Sequence, residues 1–161
     1  MNVELLKWEG PHSKEWENKC TVCWSAYLNN IQHENSLKCW KLGIPFSCFN
    51  DVGKAIEIVK DLVKEYNNST FKYTKDFGIL NIITKGIIIV YFESKEDMID
   101  FIKKFKEKTK EIIKSPTILD NLFYKYLVNT ENIEKYFFYR RGCPEYDFKF
   151  GNWRNWPSYN K

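Results

Sequence analysis

Residues 134–161 hold ten of the chain's 28 aromatic side chains, with Arg140, Arg141, Lys149 and Arg154 set among them. Flat rings stack on unpaired bases at roughly 1–3 kcal/mol per base, and guanidinium groups take the adjoining phosphates. Tyr139, Arg140, Arg141, Trp153, Arg154 and Trp156 are the residues this pattern singles out. The same residue types build protein-binding hot spots and can close over a core, so a protein partner and internal packing stay open beside nucleic acid.

A second group is basic. Lys103, Lys106, Lys110 and Lys114 recur at helical spacing, flanked by Lys104 and Lys108 and faced only by Glu107 and Glu111. Such a stripe can hold phosphates as point charges; it can also be a solvated helix face laced with ion pairs. Cys20 and Cys23 form a C-x-x-C pair that, with His33 and Cys39, has the ligand types of a zinc site. Both thiols fall on an apolar helical stripe beside Trp24 and Tyr27, where cysteine packs as a small hydrophobe, so no metal or cofactor is expected. Asp147 and Lys149 would share one face if 146–150 were a strand, as beside the metal of a nuclease. His12 and His33 have no pairing for acid–base work, and neither a phosphate-binding glycine loop nor a nucleophile motif is present. The chemistry reads as non-enzymatic binding.

The elements that must position these groups follow from periodicity. Trp16, Cys20, Cys23, Trp24, Tyr27, Leu28 and Ile31 trace one face of an N-terminal helix, with a strand over Cys20 to Tyr27 as the rival reading because CTVCW is also β-prone. Residues 37–47 read as a short strand ended by Gly43 and Pro45. Asp51 or Asn50 caps a helix with a stripe of Val52, Ala55, Ile56, Val59, Leu62, Val63 and Tyr66. A β-hairpin is expected over residues 77–92, its second arm apolar on both faces and therefore covered on both. Ser94 caps a further helix. Residues 117–129 and 130–140 read as two short helices, and 146–150 as a closing strand.

The octapeptide KGIIIVYF at 85–92 and the run WKLGIP at 40–45 carry a family resemblance. Residues 37–105 resemble an RNA recognition motif domain: Trp40 to Pro45 match its first-strand signature, and Lys85, Gly86, Val90 and Phe92 match its third-strand octapeptide. The resemblance implies a ferredoxin-like fold and base stacking at Trp40. At the two octapeptide places where that family stacks bases, this chain has Ile87 and Ile89.

The net charge of +4 permits an anionic partner, and 43% hydrophobic residues are enough to fill a core. Five cysteines, an odd number, and a start without a signal-like apolar core point to reduced thiols in an intracellular, soluble protein with no membrane partner. The expected architecture is α+β: an N-terminal helical segment (1–36), a ferredoxin-like βαββα core with an antiparallel sheet (37–114), and a C-terminal helical and aromatic extension (115–161). The expected partner is RNA or a ribonucleoprotein, bound through Trp40, Lys103, Lys106, Lys110, Tyr139, Arg140, Arg141, Trp153, Arg154 and Trp156. The alternative is a protein bound through the aromatic tail.

Overall fold

The computed structural model describes residues 6–74 and 86–159. In chain order these form β1 (Leu6–Trp8), α1 (Ser13–Leu28), β2 (Trp40–Pro45), α2 (Val52–Leu62), β3 (Thr70–Thr74), β4 (Ile87–Phe92), α3 (Lys95–Thr109), α4 (Ile118–Leu122), β5 (Glu131–Ile133), β6 (Phe137–Arg141) and α5 (Pro144–Phe150). The fold is α+β. One six-stranded sheet has the order β1-β3-β4-β2-β6-β5, and every pairing in it is antiparallel. Each edge is closed by a strand of three residues. The first arm of the expected 77–92 hairpin lies outside the described residues. Among the described residues no helix is long and apolar enough to cross a membrane.

Strand parity divides the sheet into two faces. Leu42 and Ile44, Ile88, Val90 and Phe92, Phe71, and Phe137 point to one side, where α2 and α3 pack. Asp51 starts α2 by accepting from the Lys54 amide at 3.0 Å, and Ser94 starts α3 by accepting from the Asp97 amide at 3.2 Å. Ala55, Val59 and Leu62 on α2 meet Met98, Phe101, Ile102 and Phe105 on α3 over this face. Burying each of the larger side chains contributes about 1.5–3 kcal/mol, so this layer dominates the stability of the fold.

The opposite face carries Lys41 and Gly43, Lys72, Ile87, Ile89 and Tyr91, and Phe138 and Arg140. It is covered at its flanks. Trp16 of α1 packs on Tyr91 with ring centroids 5.3 Å apart. Tyr124, in the π-helical turn Phe123–Leu127, packs on Phe138 at 5.6 Å. Among the described residues a strip between the two covers stays open.

Two expectations for the C-terminal third are corrected. Residues 130–140 are the β5–β6 hairpin rather than a helix. Tyr136, Phe137, Phe138 and Tyr139 are consecutive rings, which cannot share one helical stripe but suit a strand packed on both sides, and Glu134 at φ 55 makes the turn. Residues 144–150 are a helix rather than a strand: Pro144 at the first helical position has its φ pre-set, and Glu145 and Asp147 favour the helix start. β6 then pairs with β2, placing the C-terminal third inside the sheet.

Candidate functional site

The aromatic tail does not stand in water. Trp153 and Trp156 are 4% and 6% exposed, and Arg140 and Arg141 are 2% and 5%. With Tyr146 the two tryptophans form a second core, against Cys23, Tyr27, Leu37, Trp40, Tyr139 and Phe150. Trp153 Nε1 donates to the Asn129 carbonyl at 2.7 Å, and Trp156 Nε1 to the Gly151 carbonyl at 2.9 Å. Gly142, at φ +69, turns the chain out of β6 so close to Trp156 that a Cβ there would lie 2.7 Å from its ring. The expectation of an open surface of rings is thus corrected for Trp153 and Trp156.

The two arginines have different surroundings. Arg140 grips Asp147 with both terminal nitrogens, at 2.8 and 3.0 Å, and donates to the carbonyls of Val128, Gly142 and Cys143. Asp147 therefore sits in a buried ion pair, and Lys149 reaches the Tyr27 carbonyl; the two do not form the carboxylate–lysine face of a nuclease. Among the described residues Arg141 has only the carbonyls of Trp153, Trp156 and Pro157, at 2.6 to 3.0 Å, and no carboxylate. Its Nε has no partner among the described residues, and burial pulls its guanidinium below the ordinary arginine value.

The lysines of α3 form a solvated face. Lys104 pairs with Glu65 and Asp100, Lys106 with Glu134, and Lys110 with Glu107, while Lys103 projects freely. Exposed pairs of this kind contribute about 0–1 kcal/mol each.

What does gather is a cleft of about 520 Å³ at one end of the sheet. The turn Glu34–Lys38 supplies Lys38, β2 supplies Trp40, and the start of α3 supplies Ser94, Lys95 and Glu96. β6 supplies Arg141, and the last described residues supply Arg154 and Tyr159. Lys95 Nζ lies 5.7 Å from the Trp40 ring and 5.4 Å from that of Tyr139, and Lys38 Nζ 4.4 Å from that of Tyr159. Arg154 is tied to Glu131 at 2.5 Å and to Asn129 at 2.7 Å. Glu93, on the rim, is taken by Lys19 at 2.7 Å. Lys38, Lys95 and Arg141 are left without a carboxylate partner among the described residues. Trp40, Arg141, Arg154 and Trp156 were singled out from sequence; Lys38 and Lys95 were missed, since each is an isolated lysine whose neighbours in space come from other elements.

The open strip on the sheet's second face is the other concentration of charge. It is a cleft of about 230 Å³ with Lys41, Lys72 and Tyr91 at one end and Ile87, Ile89 and Phe138 along its walls. Lys41 Nζ donates to Cys143 Sγ at 2.9 Å. Among the described residues Lys72 has only ring faces, Trp8 at 4.6 Å and Tyr91 at 5.2 Å. Burial, then repulsion from Lys41, pulls Lys72 from 10.5 to about 8. For Lys41 burial opposes the charge, yet Cys143, Tyr91, Cys39 and Cys20 together lift it well above the ordinary lysine value. Burial itself pushes Cys39 up to about 12 and Tyr91 well above its usual range, so both keep their protons at neutral pH. Neither lysine was singled out from sequence: each stands alone in a strand, and their proximity comes from the strand pairing.

Cys20, Cys23, Cys39 and Cys143 surround a void of about 20 Å³ beneath α1. Among the described residues no three His, Cys, Asp or Glu side chains are placed to hold a metal ion, and His33 instead accepts from the Asn35 amide at 3.1 Å. Comparison of the chain with protein-family models, with curated proteins and with solved structures returned no match, so any functional reading rests on the chemistry of these clefts.

Proposed function

We propose that this chain is a non-enzymatic module that binds single-stranded RNA, and that the strand is taken by the cleft at the end of the sheet. The observation that carries the reading is one open cleft holding three cations, Lys38, Lys95 and Arg141, without carboxylate partners among the described residues, beside the rings of Trp40 and Tyr159. Phosphates meet Lys38 and Lys95, with the amide groups at the start of α3 adding to the attraction. An unpaired base stacks on Trp40 or Tyr159. The fold reading that accompanies this one is ferredoxin-like, βαββαβ: the central order β3-β4-β2-β6 with α2 and α3 on one face supports it, β1 and β5 being added at the edges. In that reading the RNA-recognition-like resemblance extends to β6 as the last strand, while Trp40, which strand parity sets with Leu42 and Ile44 rather than with Ile87 and Ile89, meets a base at the end of the sheet and not on its second face.

The test is anisotropy of a short labelled single-stranded RNA over a salt series. Binding is expected to weaken with salt at a logarithmic slope of about −2, as for two to three neutralised phosphates. The double substitution Lys38→Glu/Lys95→Glu should abolish it, while Lys103→Glu/Lys108→Glu on the outer face of α3 should change it far less. Absent binding, or equal losses in both pairs, overturns the reading.

A second reading, a protein-interaction factor, is favoured by a different observation. The aromatic tail is folded inward, but Ile118, Leu119, Leu122, Tyr126 and Leu127 project from one short stretch into solvent. Loss of a co-purifying protein on Leu122→Glu, with RNA binding absent, would select this reading.

A further inference from the structure

The open strip on the second sheet face presents a charge imbalance. Lys41 and Lys72 both lie over the Tyr91 ring, at 5.4 and 5.2 Å, on the two strands that flank β4. A lysine ammonium carries three N–H donors. Lys41 uses one, on Cys143 Sγ, and Lys72 uses none among the described residues. Arg140, at the far side, is already satisfied by Asp147. Among the described residues no carboxylate lines the cleft; its other walls include Ile87, Ile89, Tyr124, Val128 and Phe138. Charges withdrawn from water are normally paired, and among the described residues these two have only the Cys143 thiol within hydrogen-bond reach, so the group has a place for an anion. The volume, about 230 Å³, lies below the range of roughly 300–1,000 Å³ that holds drug-sized ligands, so the missing anion is small.

We infer that this strip is a binding site for a small amphipathic anion, whose charged head is held by Lys41 and Lys72 and whose apolar body lies along Ile87, Ile89 and Phe138. The head is a carboxylate or an equivalent oxyanion; the body is a short acyl chain or a single ring. The site is separate from the RNA cleft: no residue lines both. The groups that face Lys72 are Lys41 on β2, Tyr91 on β4, Cys20 on α1, Cys39 ahead of β2 and Cys143 at the start of α5. No carboxylate is among them, and burial keeps the protons of Tyr91 and Cys39 in place, so binding needs Lys72 protonated.

The experiment is calorimetric titration of the whole chain at pH 7 with octanoate, benzoate, octanamide and inorganic phosphate. Saturable binding of octanoate separates an acyl body from benzoate's ring, and either one supports the site. Octanamide, neutral but equally long, and phosphate, charged but without a body, should each bind at least about tenfold more weakly than the better carboxylate. The carboxylate's affinity should fall about tenfold from pH 7 to pH 9, as Lys72 loses its proton near 8. Lys72→Met should abolish binding while the protein stays folded, shown by an unchanged affinity for single-stranded RNA or, should RNA not bind, by an intact thermal transition. Absence of carboxylate binding, octanamide or phosphate binding equally well, or undiminished binding in Lys72→Met each overturns the inference.

Discussion

Replacing Lys72 by methionine should make the protein more stable, although the change removes a charged residue from the middle of a sheet. In the folded chain Lys72 is held at about 8 rather than 10.5, first by burial and then by Lys41. Its charged form is therefore disfavoured by folding, and the displacement corresponds to about 3 kcal/mol. Unfolding relieves this cost. The cost is fully present below pH 8, where both states carry the proton, and disappears as pH rises towards 10.5, where neither does. Against it stand two ring contacts, with Trp8 and Tyr91, each contributing about 0.5–1 kcal/mol. Methionine is close in length and keeps contact with both rings through a polarizable sulfur. The net gain expected at pH 7 is about 1–2 kcal/mol, or roughly 2–8 °C in Tm for a domain of this size. The assay is urea denaturation of both proteins from pH 6 to 10.5, read as the difference between them. The difference cancels the buried thiols and Tyr91, which titrate in both. A variant that is less stable at pH 7, or a difference that does not shrink between pH 8 and 10.5, would refute the assignment of Lys72 as a charge held out of water without a counter-ion.

Two other consequences follow from the packing of the C-terminal third. Arg140→Met should destabilise the fold by about 3–5 kcal/mol, because it strands Asp147 and several carbonyls, while Arg140→Met combined with Asp147→Leu should recover part of that loss in a chemical denaturation cycle. In the native protein Cys39 and Cys23, pushed by burial up to about 12 and about 11, should resist alkylation by iodoacetamide at pH 7.5; mass spectrometry should find both modified only after unfolding.

How far the sequence discloses this structure depends on whether the determining contacts are local. α2 and α3 were legible because Asp51 and Ser94 are caps and the apolar stripe behind each has helical period. β2 and β4 were legible as apolar runs ended by turn residues. β6 was not, because four consecutive rings fit no half-buried pattern and the second cover, Tyr124, comes from another element. The inward fold of the tail was illegible for a related reason. Arg140 is neutralised seven residues away by Asp147, on a segment whose helical state was itself misread, and Arg141 is tied down, though not neutralised, by carbonyls a dozen or more residues on. Composition revealed rings and cations near one another in the chain but not the direction they face. The cleft that does gather cations draws Lys38 from the turn ahead of β2 and Lys95 from the start of α3, a proximity only the strand order creates.

The brevity of β1 matters for more than topology. Its three residues hydrogen-bond along Lys72, Tyr73 and Thr74, and so hide the outer backbone of β3 from other chains. A protein trimmed beyond Trp8 would present that row of amides and carbonyls as an unguarded template, with Phe71 and Lys72 at its centre. Such a fragment should self-associate through added strands, whereas in the described molecule β1 already occupies that row.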